Sequence, residues 1–156
     1  MWLSTETFRS VVASTPLVSI DLVVQNQQGD ILLGQRLNRP AQGFWFVPGG
    51  RILKNETLDA AFARLTAVEL GKAFQRSEAR LLGVYEHFYD DSVFAEAADT
   101  PDTHYVVLGY QLVLPASETL QPPHGQHDCY RWWPIEQAQA SADVHANTRA
   151  YLDAVR

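Results

Sequence analysis

The chain has 156 residues, 46% hydrophobic and 19% charged, long enough to bury about two-thirds of its unfolded surface around a real core. A single cysteine, Cys129, excludes a disulfide framework and a thiolate zinc cluster. A net charge of −6 argues against a general nucleic-acid binder, which depends on dense Lys and Arg, but leaves room for a small anion held by a few arginines and a divalent cation.

The N-terminal WLSTETFRSVVAST lacks a basic stretch followed by an apolar core, and no apolar run approaches bilayer length. With no internal repeat and no linker-like segment, the expectation is one soluble, cytoplasmic domain over residues 1–156. Ser4 or Thr5 caps a short helix with Phe8, Val11 and Val12 on one face, stopped by Pro16. In LVSIDLVVQN, Val18, Ile20, Leu22 and Val24 alternate onto one face of a strand and place Ser19 and Asp21 on the other, so Asp21 is a carboxylate in mid-strand. The NQQGD turn leads into ILLGQR as an antiparallel hairpin, and FWFVPGG and GRIL supply further strand material around a glycine pair.

Asn55 or Thr57 starts a helix that runs to about Leu70, with Gly71 as C-cap. Two strands follow, LLGVYEHFYD and HYVVLGYQLVL, separated by a polar loop. YRWWP gives a short strand, and the remainder one or two closing helices. Mixed strands with helices between and after them predict an α/β sandwich with a mixed sheet.

On the central helix, Leu58, Phe62, Leu65 and Glu69 lie at helical spacing, so a carboxylate extends an apolar stripe. An isolated glutamate in a last turn ordinarily reaches water. Positions 65, 68 and 69 nevertheless form one facial triangle, suited to carboxylates gathering a hard cation, and only Glu69 is acidic.

Here the sequence resembles the Nudix hydrolases, whose box runs G-x5-E-x7-R-E-U-x-E-E-x-G-U, with U a bulky apolar residue. Gly50, Glu56, Arg64, Glu69 and Gly71 match; Leu65 and Val68 replace two family glutamates, and Thr66 and Lys72 stand at two apolar positions. One branch, the GDP-mannose mannosyl hydrolases, shares the altered helix. The likeness to it runs through STPLVSID, NRPAQGFWFVPGGR, ARLTAVELG, EHFYDD, THYVVLG, GQHD, YRW and VHAN. The resemblance implies a Nudix-type α/β/α sandwich with a mixed β-sheet, a homodimer, and hydrolysis of GDP-mannose or GDP-glucose to GDP and free sugar. Water would attack the anomeric carbon with inversion.

The resemblance also implies roles for particular residues. Glu69, the backbone carbonyl of Gly49 and the side chain of Gln126 would hold Mg²⁺, an oxygen-rich shell suited to that ion. Arg36 and Arg51 would stabilise the leaving diphosphate, with Arg39 a weaker candidate. Five histidines compete for the base, His87, His104, His124, His127 and His145, and spacing alone selects none. The resemblance selects His127. Asp21 would bind sugar hydroxyls or support developing positive charge, and His87 and Tyr105 would assist around sugar and phosphates. Arg64 and Glu56 read as a structural ion pair. Of the aromatics Phe44, Trp45, Phe46, Trp132 and Trp133, most are expected in the core. Two alternatives stay open: a pyrophosphohydrolase attacking phosphorus, and a nucleotide-sugar sensor without turnover.

Overall fold

The computed structural model describes residues 2–94, 100–120 and 127–155, and of His127 and Asp128 the backbone. Helix α1 (Thr5–Ser14) begins at Ser4, whose hydroxyl accepts from the Thr7 N–H. Strand β1 (Leu17–Gln25) follows, then β2 (Ile31–Arg36), β3 (Trp45–Phe46) and β4 (Gly49–Arg51). Helix α2 (Leu58–Leu70) is capped by Thr57, which accepts from Ala60 N–H, and ends at Gly71 in the left-handed region at φ 79°. After a 3-10 turn at Arg76–Glu78 come β5 (Arg80–Tyr89), β6 (Thr103–Val113), β7 (His127–Trp133), α3 (Ile135–Ala140) and α4 (Ala146–Leu152).

The sheet order is β3-β2-β1-β6-β5, with β4 added to β1 and β7 to β2. β1 and β6 run parallel and the other pairs antiparallel, so the sheet is mixed as expected. One face carries Ile20, Leu22 and Val24 against Phe62, Leu65 and Leu70 of α2. The other carries Val23, Leu33 and Val107 against Ala138, Tyr151 and Leu152 of α3 and α4. Burying a side chain such as Phe62 contributes about 1.5–3 kcal/mol, so both layers hold the sheet firmly.

Because both faces are covered, β1 departs from simple alternation. Val23 is buried on the face expected to be polar, and Val18, expected inside, is 44% exposed near the strand's start. Among the described residues, no helix is long and apolar enough to cross a membrane.

Candidate functional site

A cavity of about 420 Å³ opens where β1, β4, β5 and β6 meet the C-terminal half of α2. Strand register explains what converges there. Asp21 stands opposite Gly49 on β4 and Gly109 on β6, while His87 of β5 pairs with Tyr105 of β6. Gly49 is required by crowding: a Cβ there would meet the Ile20 carbonyl oxygen and stand 2.5 Å from Asp21 Oδ1. Asp21, Arg36, Gly49, Arg51 and Glu69 line the cavity together with His87 and Tyr105.

Glu69 does not reach water as an isolated last-turn glutamate would; it is 3% exposed. Burial pushes its carboxyl up to about 7, with Arg36 pulling the other way and the Asp21 charge adding to the rise. Among the described residues its carboxylate has no hydrogen-bond donor or salt-bridge partner. Asp21, 7% exposed, is likewise raised to about 7 by burial, against the opposing effects of a Tyr151 hydrogen bond and the Arg36 charge. Two buried carboxylates that resist ionisation alone would ionise readily beside a cation. Among the described residues no three His, Cys, Asp or Glu side chains gather as a metal site. The donors on offer are hard oxygens, which suits an Mg²⁺ that keeps water and substrate oxygens in its shell.

The arginines are braced by other residues of the cavity lining, Pro40 and Phe8. Arg36 Nε donates to the Pro40 carbonyl at 2.8 Å. The Arg51 guanidinium lies 4.7 Å from the centroid of the Phe8 ring of α1. Arg39 is exposed and does not line the cavity.

His87 is 4% exposed, and burial, with a lesser push from His145, lowers it to about 4, so it is neutral at pH 7. Burial also raises the Tyr105 hydroxyl. His104 stacks on Phe88, with centroids 4.4 Å apart, and His145 accepts from the Asn147 N–H at the start of α4. Gln126 and His124 lie outside the described residues. The backbone of His127 pairs with Arg36, and its side chain is outside the description.

The departures from the box have distinct structural fates. Leu65 is buried against Gly50, whereas Val68 is 56% exposed at the cavity wall. Thr66 is fully buried, its hydroxyl donating to the Phe62 carbonyl at 2.9 Å and accepting from Phe74 N–H at 2.8 Å. Lys72 pairs with Glu118 at 2.6 Å.

Of the aromatics, Phe46 and Trp133 are buried, Trp45 and Trp132 pack against the cores, and Phe44 is exposed beside His145. Sequence reasoning missed Tyr151, which reaches Asp21 across the fold, and Phe8 behind Arg51. An aromatic on an amphipathic helix carries no signal of either contact.

The NUDIX domain model matches residues 15–154. The chain is 44% identical over 107 residues to the low-salt glycan biosynthesis protein Agl8 of Haloferax volcanii; the match covers 69% of this chain and 65% of that relative's length. Among solved structures, the MutT Nudix hydrolase from Burkholderia pseudomallei superposes with TM-score 0.70 at 26% identity, covering 92% of this chain and 100% of that one. The Nudix domain of Shewanella oneidensis NrtR complexed with ADP ribose gives TM-score 0.66 at 19% identity over 97% and 96%, a likeness of fold.

Proposed function

The chain belongs to the Nudix hydrolase family, and from that premise we propose that it hydrolyses GDP-mannose, and GDP-glucose, to GDP and free sugar. The observation that carries this reading is the changed acid content around one cavity: Arg36, Arg51 and a single box glutamate, Glu69, stand there with Asp21, while Leu65 and Val68 occupy two acid positions. A site attacking phosphorus needs acids around the metal to supply a base. A site attacking carbon needs a charged clamp on the diphosphate and a base elsewhere. The glycan-biosynthesis name of the Haloferax relative supports a sugar nucleotide over a plain nucleotide.

In this mechanism Arg36 and Arg51 hold the diphosphate, and their charge grows in value as negative charge develops on it. Glu69, the Gly49 carbonyl and Gln126 would hold Mg²⁺, which neutralises phosphate charge when bound. Asp21 binds the sugar hydroxyls, with His87 and Tyr105 beside it. His127 takes the proton of the attacking water as its oxygen bonds the anomeric carbon; the C–O bond breaks and its electron pair leaves with GDP. Attack opposite the leaving group inverts the carbon. The same reading has the protein act as one cytoplasmic domain over residues 1–156, as a homodimer, without nucleic-acid or membrane partners.

Incubation with GDP-mannose and Mg²⁺ in ¹⁸O-labelled water tests the reading. Label in free sugar, with unlabelled GDP, is expected. Sugar phosphate plus GMP would establish attack at phosphorus instead, and tight binding without turnover would establish a sensor.

A further inference from the structure

Behind the cavity wall stands a residue that does not line it. Tyr151 of α4 is fully buried, and its hydroxyl donates to Asp21 Oδ2 at 2.6 Å; the same oxygen lies 3.4 Å from His87 Nε2. Both partners line the cavity, and Tyr151 contacts them from the far side. We propose that Tyr151 is a positioning residue that locks the Asp21 carboxylate in one rotamer, leaving Oδ1 as the oxygen presented to sugar hydroxyls; this rests on the GDP-sugar reading above.

The geometry supports a dedicated brace. A phenol has one proton, and Asp21 Oδ2 at 2.6 Å is a much nearer acceptor for it than His87 Nε2 at 3.4 Å. The 2.6 Å separation is at the short end for a bond between two oxygens, and the bond strengthens when Asp21 ionises. Oδ1 lies instead over Gly49, close enough that a Cβ there would stand 2.5 Å from it.

The ring of Tyr151 is held as firmly as its hydroxyl. It meets Tyr85 edge-on with centroids 4.6 Å apart, and the opposing strand offers Gly109, where a Cβ would stand 2.9 Å from Tyr151 Cε1. Gly109 therefore clears the space that the ring fills. The helix is pinned in turn: Val47 N–H donates to the Thr148 hydroxyl at 3.2 Å, and Asn147 Nδ2 donates to the Tyr89 hydroxyl at 3.1 Å. Val47 and Tyr89 both line the cavity, so α4 is tied to the site at two points besides Tyr151.

The test is a double-variant cycle of Tyr151→Phe with Asp21→Asn, read by kinetics on GDP-mannose and by inhibition with GDP. Tyr151→Phe keeps the ring and is expected to lower kcat/KM about ten- to a hundredfold, the range for losing a hydrogen bond to a charge. GDP, which lacks the sugar, should inhibit the variant as it inhibits the wild type. In the Asp21→Asn background Tyr151→Phe should cause little further loss, because a residue acting through Asp21 has nothing left to position. An equal loss in both backgrounds, or a weakening of GDP to match, would mark Tyr151 as a structural residue only and overturn the proposal. Wild-type protein that releases no sugar would defeat the GDP-sugar reading instead. A crystal structure of the Tyr151→Phe protein then decides this proposal by itself: Asp21 in a new rotamer is expected, and Oδ1 unmoved over Gly49 overturns it.

Discussion

Arg64 grips Glu56 with two hydrogen bonds, from Nε to Oε2 at 2.6 Å and from Nη2 to Oε1 at 2.9 Å, and Nη2 also reaches the Arg51 carbonyl at 2.9 Å. Glu56 Oε1 in turn accepts from the Leu53 N–H. The fork thus ties α2 to the loop that follows Arg51. The guanidinium beside Glu56 holds its carboxyl below the usual range.

Arg64→Ala should lower Tm by about 5 °C, since a lost charged hydrogen bond costs about 1.5–3 kcal/mol in a domain of this size. Arg64→Lys should recover little of this, because one ammonium cannot reproduce the fork. Thermal melts of the two variants check it. A lysine variant as stable as wild type would mean the pair acts by charge alone.

Stability of the metal-free protein should fall as pH rises. Glu69 and Asp21 are raised to about 7 from 4.5 and 3.8, so the folded state holds their protons more tightly than the unfolded chain does. Stability from each is fully present below its unfolded value and is lost as pH climbs to about 7, roughly 3 kcal/mol for Glu69 alone. Mg²⁺ prefers the ionised carboxylate, so its stabilising effect on Tm should be larger at pH 8 than at pH 5.5 and should vanish in Glu69→Gln. An unchanged Mg²⁺ response in Glu69→Gln would remove Glu69 from the metal site.

His87 has the opposite sign. Its folded value is lowered to about 4 from 6.5, so its contribution is intact above about 6.5 and is lost as pH falls towards 4. In metal-free melts His87→Phe should therefore flatten the acid side of the profile relative to wild type. A variant whose acid limb overlays that of wild type would mean His87 is not buried as a neutral ring.

Much of the site could be read from local pattern. The mid-strand position of Asp21 and the Thr57 and Gly71 caps follow from short-range spacing, the Arg64–Glu56 pair from the resemblance to the Nudix box, and the structure has each of them. What could not be read depends on contacts between distant segments. Tyr151 meets Asp21 across 130 positions, because α4 packs on the sheet face opposite α2. The Pro40 carbonyl reaches back to Arg36 through a loop whose path no periodicity encodes. Val18 misled for a related reason: period-2 alternation says which way a side chain points, but not whether anything covers it.

Arg36 is oriented by that loop through its Nε bond to Pro40, and among the described residues the rest of its fork makes no hydrogen bond. Arg36→Lys should lower kcat about a hundredfold, the scale of removing one aimed donor from a developing anion, with Tm little changed. His127→Gln should lower turnover comparably while the Mg²⁺-dependent rise in Tm stays as in wild type. Steady-state kinetics beside melts separates the two roles. Unaltered turnover in His127→Gln would discard that residue as base.

The two replaced acids of α2 should respond unequally to being restored. Leu65 is 3% exposed, packed in the cluster that holds Phe62 and Leu70, and its Cδ2 lies 2.5 Å from where a Gly50 Cβ would be. A glutamate there must bury its charge or hold a proton, so Leu65→Glu should cost about 3 kcal/mol and lower Tm sharply. Val68 is 56% exposed on the cavity wall, one position from Glu69, and Val68→Glu should fold with less than about 1 kcal/mol of loss. The added group would give the cation a second carboxylate ligand beside Glu69, so a larger Mg²⁺-induced rise in Tm is expected. On the reading above, products should remain GDP and free sugar, because Leu65 still occupies the other acid position and Arg36 and Arg51 are not moved. Appearance of GMP and sugar phosphate from Val68→Glu would show instead that the choice of attacked atom rests on this one helix position.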